Sequence, residues 1–220
     1  MLTKAFGVKD SQGRKWADAK YGCFAFFDYD GDPLYVGSAS ERLRTRIQRH
    51  LISQRTDAVA WGILDVQEVA EMELWPLWDL TETQRKLAME PLSRAEREVY
   101  LQAVEGSRFG ALLNERVPAR TEHTILPSSR RFTLVDEQTR SDQGHADVRI
   151  ARRAATVARL SSLFMDRGIV TEGARRAMIL QSARLTHLAA TQLAYVEGRP
   201  APTAELINVP DLIGRNVSDL

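Results

Sequence analysis

The feature that most constrains the fold of this chain is a β-hairpin predicted between residues 22 and 37. Residues 22–29 are apolar and rich in aromatic side chains, which is typical of a buried strand. Asp30-Gly31-Asp32-Pro33 predicts a turn, because glycine accepts a positive φ and proline can only begin the next strand. Residues 34–37 then supply a second, short strand.

An arginine-rich helix is predicted directly after the hairpin. Residues 38–41 offer its N-terminal cap, and the helix runs to about Ser53 with an apolar residue at every fourth position facing inward. Arg46 and His50 lie one turn apart on a common face. With Tyr35 on the second strand they supply a guanidinium, an imidazole and a phenol, which suit phosphodiester cleavage. Taken singly, Tyr35 is an ordinary strand aromatic, and the two helix residues form an ordinary solvated face.

The segments after this helix carry less regular secondary-structure signals. Residues 58–69 are rich in β-branched and aromatic side chains and predict a third strand, whereas residues 70–91 are interpreted as an insertion. Ser93-Arg94-Ala95-Glu96 matches a capping box, which predicts a helix from there to about Glu105. In that interpretation Glu96 acts only as a cap carboxylate and needs no metal ion.

Two long helices are predicted in the C-terminal half, at about 146–166 and 172–197, packed as an antiparallel hairpin. Gly168 is expected at the C′ position of the first helix and Thr171 at the N-cap of the second. The polar stretch before them is interpreted as a linker.

These elements predict an α+β fold: a small, mostly antiparallel three-stranded sheet flanked by helices, followed by a helical C-terminal extension. A chain of 220 residues fits one moderate domain or a small domain with an appendage. The predicted division is a domain at residues 1–126, a linker at 127–145, and a helical hairpin with its tail at 146–220.

Composition favours a cytoplasmic protein without membrane contact. The single cysteine, Cys23, excludes a disulfide framework and a thiolate metal site. The first residues lack the apolar stretch of a signal peptide, and no segment approaches the roughly 20 apolar residues of a membrane span. The net charge of +1 conceals an uneven distribution, since residues 65–98 are acid-rich while arginines concentrate in 42–55 and 130–184. Nucleic-acid binding requires such a local basic surface rather than a basic total.

The order and spacing of these residues resemble the GIY-YIG nuclease superfamily. Its pattern is a glycine-apolar-tyrosine strand, a tyrosine-apolar-glycine strand, a helix with arginine and often histidine, then a glutamate on a later helix and an asparagine beyond it. The resemblance covers about residues 20–116. The matching residues are Tyr35, Gly37, Arg46, His50, Glu96 and Asn114.

The chain departs from the family's pattern at several positions. Phe24 stands where the first motif has its tyrosine, and a phenylalanine cannot orient water or pass a proton. Tyr21, three residues away, lies on the other face of a regular strand and compensates only if the strand is bulged. Ser38 stands where some members carry a lysine. Glu98 competes with Glu96, which is favoured because the residues three and four positions after it are apolar and anchor that face on the sheet.

The resemblance implies hydrolysis of a phosphodiester bond with Mg²⁺ or Mn²⁺. Glu96, or alternatively Glu98, would be the metal ligand, and Arg46 would clamp the scissile phosphate through its planar fork. Tyr35 would orient or deprotonate the attacking water, and His50 would share that task. Asn114 would hold the local geometry through side-chain hydrogen bonds.

The implied partner is DNA, and the implied function is a metal-dependent DNA endonuclease of restriction, defence or repair type. Arginines of the C-terminal helices form a basic stripe that either grips DNA, pairs with a second copy in a homodimer, or only covers the sheet. The alternative is a catalytically lapsed relative that binds nucleic acid or protein as an adaptor, with Phe24 marking the loss. Residues expected to contact DNA are Ser38, Arg42, Arg44, Arg49, Arg152 and Arg153.

Overall fold

The computed structural model describes residues 1–52, 62–168 and 170–214. Within them lie four strands and seven α-helices, and none of these helices is both long and apolar enough to cross a membrane. The strands are β1 Gly22–Phe27, β2 Pro33–Ala39, β3 Glu71–Pro76 and β4 Arg130–Thr133. The helices are α1 Leu2–Gly7, α2 Leu43–Leu51, α3 Arg85–Glu105, α4 Glu137–Gln143, α5 Ala146–Arg167, α6 Glu172–Val196 and α7 Val209–Ile213.

The sheet is antiparallel, with strand order β2-β1-β3-β4. The predicted hairpin is confirmed, and Gly31 in its turn has the positive φ of 75° that the sequence required. The Asp28 carboxylate closes this turn by accepting hydrogen bonds from the backbone N–H groups of Asp30 (2.9 Å) and Asp32 (3.0 Å). The sheet therefore starts from the segment that the sequence predicts most clearly.

The third strand lies outside the predicted range. Residues 58–61 of that prediction fall outside the described residues, and the rest of 58–69 forms a turn and a short 3₁₀ helix at Val66–Glu68. The strand is Glu71–Pro76, inside the segment that was interpreted as an insertion.

Burial explains where β3 forms. Met72 and Leu74 are fully buried on one face of β3, and glutamates occupy the intervening positions at 71 and 73. This period of two fits a strand. Ile63 and Leu64, which made the earlier segment look strand-like, enter the core from a turn instead.

The predicted capping box at residues 93–96 is wrong as a helix start. Helix α3 begins at Arg85 after the N-cap residue Gln84, so Ser93 and Glu96 lie in its interior. The physical reason is a continuous buried stripe at three- and four-residue spacing that crosses the proposed cap and overrides the local pattern. The stripe consists of Ala88, Leu92, Ala95, Val99 and Ala103.

The segment 127–145, interpreted as a linker, contains β4 and α4. Strand β4 pairs with β3 and buries Phe132, so the sheet has four strands rather than three. An isolated four-residue strand carries too little sequence pattern to stand out from polar surroundings.

The predicted C-terminal helical hairpin is confirmed. Gly168 ends α5 with a φ of 67°, and the Thr171 side chain caps α6 by accepting a hydrogen bond from the Ala174 N–H at 3.1 Å. Leu160 and Leu180 of this hairpin belong to the same buried apolar cluster as residues of the sheet. The hairpin therefore shares a core with the sheet, while the predicted division into domains stays a prediction.

Candidate functional site

A hydrogen bond joins the two elements that the family pattern places together. The Ser38 hydroxyl on β2 donates to Glu96 Oε2 on α3 at 2.9 Å, although the residues are 58 positions apart. Burial raises the pKa of Glu96, and the Ser38 hydrogen bond and the Arg46 charge oppose that effect without cancelling it. Glu98 instead accepts from the ring Nδ1 of His123 at 2.9 Å. Of the two competing carboxylates, only Glu96 faces β2.

Arg46 on α2 lies within electrostatic reach of Glu96 and of His50, since its charge lowers the pKa of both groups. Its guanidinium forms no ion pair within 4.0 Å among the described residues, and its buried Nε has no hydrogen-bond partner there. Arg42, at the N-cap of α2, is exposed. Within the part of the chain that the structure describes, these are the two arginines at α2 for which no ion pair is found.

The other two arginines of α2 that were expected to contact DNA are engaged within the protein. Arg44 donates to the Phe6 backbone oxygen at 3.1 Å and pairs with Asp18 at 3.1 Å. Arg49 forms an ion pair with Glu41 on the segment before the helix. Both side chains remain about one third exposed, and each charge is balanced by a carboxylate of the protein.

Tyr35 and His50 lie in contact within an aromatic cluster on the α2 face of the sheet. The ring centroids of Tyr35 and His50 are 5.2 Å apart, and Phe24 lies 5.4 Å from His50 and 6.4 Å from Tyr35. His50 is fully buried, and burial, together with the charges of Arg46 and Arg49, lowers its pKa to about 3.

This environment makes His50 a neutral packing residue at ordinary pH. A general base works best when its pKa lies near the operating pH, and it must reach the proton that it abstracts. The pKa of His50 lies far below ordinary pH, so its environment does not support the expected proton-transfer role. Its position beside the Tyr35 ring instead fixes the orientation of that ring.

Phe24 occupies the place where the family has a tyrosine, and its ring is fully buried. It lies so close to Gly37 that a Cβ on that glycine would come within 2.6 Å of the Phe24 ring. The glycine of the second motif is therefore required by the close approach of an aromatic ring rather than by a turn.

Tyr21 does not replace the missing phenol. It is fully buried in a second apolar cluster, with Cys23, Ala25 and residues of α3, on the face of the sheet opposite Tyr35. Its hydroxyl has no hydrogen-bond partner among the described residues. The only irregularity in the pairing of β1 with β2 lies between Phe26 and Phe27, so the bulge that would turn Tyr21 around is absent from the described strands. The catalytic role considered for Tyr21 is thus corrected.

The candidate residues occupy two sides of β2. Tyr35 and Ser38 are three positions apart, so their side chains point to opposite faces of the sheet. Tyr35 meets His50 on one face, and Ser38 meets Glu96 on the other. Arg46 acts electrostatically on both His50 and Glu96 and thereby connects the two halves at the edge of the sheet, where β2 is the terminal strand.

Asn114 holds the backbone of β2 between Tyr35 and Gly37. Its Oδ1 accepts from the Val36 N–H at 3.0 Å, and its Nδ2 donates to the Val36 carbonyl at 2.8 Å. The neighbouring Leu113 N–H donates to the Leu34 carbonyl at 2.8 Å. Asn114 thus fixes the strand that carries Tyr35 and Ser38.

Arg152 and Arg153 lie in a buried ion cluster rather than on a basic surface. Arg152 pairs with Glu68 at 2.5 Å, and Arg153 pairs with Asp28 at 3.0 Å and with Glu68 at 3.1 Å. The cluster balances four arginines against four carboxylates: Arg149, Arg152, Arg153 and Arg184 against Asp28, Asp30, Asp32 and Glu68. A role of Arg152 and Arg153 in DNA binding is therefore not supported by their geometry.

Sequence reasoning missed this cluster. The acids Asp28, Asp30 and Asp32 alternate through the hairpin turn, and the arginines of α5 recur at three- and four-residue spacing, but these patterns lie more than a hundred residues apart. Burial raises the pKa of Asp28, and the charges of Arg184, Arg149 and Arg153 outweigh that effect, so the pKa lies below its usual value.

The carboxylate of Glu96 fits a cation that keeps most of its water. Among the described residues no group of three or more His, Cys, Asp or Glu side chains is placed to hold a metal ion. Mg²⁺ is commonly bound through one or two carboxylates plus substrate phosphate, and a single glutamate beside a hydroxyl satisfies that requirement. No family model, no curated protein and no solved structure matches this chain.

Proposed function

We propose that this protein is a metal-dependent endonuclease that hydrolyses phosphodiester bonds in DNA. The observation that carries the proposal is the convergence of Ser38 on β2, Arg46 on α2 and Glu96 on α3 at one edge of the sheet. These residues come from three separate stretches, and Arg46 and Glu96 follow the order of the GIY-YIG pattern. A carboxylate and a guanidinium that forms no ion pair among the described residues lie within electrostatic reach of each other, and they provide for a cation and for a phosphate.

Arg46 has the chemistry of a phosphate clamp. Its planar fork can donate two parallel hydrogen bonds to the nonbridging oxygens, which stabilises the charge that builds there during hydrolysis. The absence of a competing ion pair among the described residues leaves this fork available.

Glu96 would hold Mg²⁺ or Mn²⁺, with Ser38 fixing the carboxylate through its hydroxyl. When bound, the cation supplies Lewis-acid activation of the phosphate and of a coordinated water. Because burial raises the pKa of Glu96, its carboxylate ionises at a higher pH than a free glutamate, and cation binding competes with that proton. The proposal therefore includes a loss of metal affinity as pH falls.

Tyr35 is the candidate for orienting the attacking water. It is half-buried on β2, and its ring orientation is set by His50 and its backbone by Asn114. DNA would approach from the side of Arg42 and Arg46. A homodimer through α5 and α6 stays a prediction, since both helices already use part of their surface to cover the sheet.

A second candidate function is nucleic-acid or protein binding by a lapsed nuclease. The buried Phe24 favours it, because this ring lacks the hydroxyl of the family's first tyrosine and Tyr21 faces away. In that case the basic edge at α2 would bind a polyanion without cutting it.

A cleavage assay separates the two functions. Plasmid and single-stranded DNA are incubated with Mg²⁺ or Mn²⁺ and the wild-type chain, and the products are followed on gels. Arg46→Ala and Glu96→Gln are each expected to reduce the rate by about 100-fold or more, the size of losing one preorganised electrostatic group. Arg199→Ala and Glu105→Gln serve as controls, because both residues are exposed and neither belongs to the candidate site.

Cutting that survives both substitutions would refute the hydrolytic proposal. Binding that weakens with salt, without any cutting by the wild-type chain, would establish the second candidate instead.

A further inference from the structure

A cleft of about 540 Å³ lies at the opposite edge of the sheet from β2, where the N-terminal turn meets the ends of β3 and β4. Its walls combine indole rings with cations. The residues that matter are Lys9, Arg14, Trp16, Trp78 and Arg130. None of them belongs to the candidate cleavage site.

Trp78 is held in a defined position in this cleft. The Arg14 guanidinium lies 4.3 Å from its ring centroid, and Arg14 is itself fixed by a 2.8 Å ion pair with Asp10. The indole remains partly exposed. This cation–π contact holds the guanidinium and the indole together at the wall of the cleft.

Trp16 has an unmet hydrogen-bonding need at the same place. The residue is 9% exposed, and its buried Nε1–H has no hydrogen-bond partner among the described residues. Its ring is held edge-on to Phe132 with centroids 6.5 Å apart. A buried indole N–H without an acceptor is unfavourable, and a ligand oxygen or ring nitrogen could supply that acceptor after a small movement.

The charge of the cleft is positive. Lys9 and Arg130 are exposed and form no ion pair within the described part of the chain, whereas Arg14 is neutralised by Asp10. Three cations and one carboxylate leave a balance of +2 around two tryptophans. Proteins bind single-stranded nucleic acid with cations that contact the phosphate backbone and with aromatic rings on which the bases stack.

The cleft and the cleavage site lie at the same end of the sheet. Gly22 at the start of β1 pairs with Ala39, next to Ser38, on one side and with Pro76, which lines the cleft, on the other. Two strand spacings separate these partners, about 10 Å. Because Ser38 and Glu96 lie on one face of the sheet and the tryptophans of the cleft pack with the other face, a nucleic-acid strand that contacts both sites passes around this end of the sheet.

We propose that this cleft binds an unpaired stretch of the nucleic acid whose backbone is cut at the Glu96 edge. A base stacks on Trp78 and Arg14, while Lys9 and Arg130 contact the phosphates. The inference rests on the proposed function for its cleavage step, and it specifies the substrate class as DNA with a single-stranded segment beside the scissile bond. A paired duplex does not offer such a base, because its bases are stacked within the helix.

Binding is measured separately from cutting. A fluorescein-labelled oligothymidylate and a blunt-ended duplex with the same number of phosphates are titrated with the full chain, without divalent cation, and followed by anisotropy. We expect the single strand to bind more tightly. Trp78→Ala is expected to weaken its binding by about fivefold to 150-fold, the range found for the loss of one base–aromatic stack.

Arg130→Ala keeps the test decisive if Trp78→Ala fails to fold, because Arg130 is exposed on the edge strand β4. This substitution is expected to reduce the slope of log affinity against log salt by about 0.7, as for one phosphate contact on a single strand. Arg199→Ala, an exposed arginine outside the cleft, is expected to leave both affinity and slope unchanged.

The outcomes separate the two proposals. Oligothymidylate binding that depends on Trp78, in a chain that cuts no DNA, supports the cleft and defeats the hydrolytic proposal. Cutting of DNA with single-strand affinity unchanged in Trp78→Ala or Arg130→Ala overturns the cleft and leaves hydrolysis standing. Equal affinity for the duplex, or equal competition by polyglutamate, also overturns the cleft, because a site for any polyanion needs no stacked base.

Discussion

Two groups of arginines in this protein look alike in sequence and differ in their surroundings. In one group, Arg149, Arg152 and Arg153 of α5 and Arg184 of α6 are enclosed by a matching set of carboxylates, and all but Arg152 are almost fully buried. On α2, Arg46 lies near Glu96 and yet forms no ion pair in the described structure. A basic stripe in a sequence thus says nothing of function until the positions of the acids are known. Arg46, which has no ion pair among the described residues, is therefore the stronger candidate for contact with a substrate.

The largest expected effect tests the enclosed group. Asp28→Ala removes the carboxylate that contacts Arg149, Arg153 and Arg184, and it leaves the four arginines of the buried cluster with one carboxylate fewer than they need. We expect the free energy of unfolding to fall by about 3–5 kcal/mol, measured by urea denaturation. Asp30→Ala, on the same turn but 38% exposed, is the matched control and should cost less than about 1 kcal/mol. Equal losses of unfolding free energy in Asp28→Ala and Asp30→Ala would show that burial of the ion cluster does not set the cost.

The second effect tests the unmatched group. Arg46→Lys keeps the charge but loses the planar fork, so cleavage should fall below the wild-type rate while staying above that of Arg46→Ala. Neither variant should change the free energy of unfolding by more than about 1 kcal/mol, since no described ion pair is lost. Arg153→Ala should show the reverse, with a large loss of stability. A large loss of unfolding free energy in Arg46→Ala would show that Arg46 has a structural role like that of the buried arginines.

Asn114→Ala tests whether the two hydrogen bonds from Asn114 to the Val36 backbone stabilise β2. The substitution removes an acceptor and a donor from the two backbone groups of Val36, which should cost about 1–3 kcal/mol in unfolding free energy. Because Asn114 positions the strand of Tyr35, we also expect a lower turnover of DNA with little change in single-strand affinity. Unchanged stability would show that water replaces both hydrogen bonds.

Acid unfolding separates the contribution of His50 from that of Asp28, because the two groups titrate in different pH ranges. In the folded state the pKa of His50 is about 3, below its unfolded value of 6.5, so the unfolded chain binds one more proton between these values. The free energy of unfolding should therefore decrease as pH is lowered from 6.5 to about 3, by up to about 1.4 kcal/mol per pH unit. The Asp28 pKa is lowered from 3.8, so the stability that this carboxylate contributes is lost only as pH falls further, through its folded value.

The His50→Phe variant checks this assignment. It should remove the slope between pH 4 and 6.5 and keep the loss at lower pH. A slope that persists in this variant would assign the titration to other groups.

Local sequence patterns predicted the parts of the fold that depend on neighbouring residues. The Asp30–Pro33 turn and the Gly168 and Thr171 caps need only a few adjacent positions, and all of them are confirmed. The capping box at Ser93 failed because a helix responds to its whole buried stripe, from Ala88 onward, rather than to four residues.

The site was predictable only in part, for the same reason. The sequence pattern identifies Tyr35, Arg46 and Glu96 as candidate site residues. It does not predict that Tyr35 and Glu96 lie on different faces of β2. The burial of His50 depends on Phe24 and Phe26 from another strand. The partners of Arg152 and Arg153 are more than eighty residues away, at a distance where spacing along the chain carries no information.

The ion cluster at the hairpin turn has a consequence for the electrostatics of the whole molecule. Asp28, Asp32 and Glu68 are covered by the cations of α5 and α6. A chain shortened to its first 126 residues would present these acids to solvent, two of them on the hairpin that carries Tyr35, and the resulting negative field would repel a polyanion. The C-terminal helices therefore act as a counter-charge built into the chain, on which the proposed binding of DNA depends.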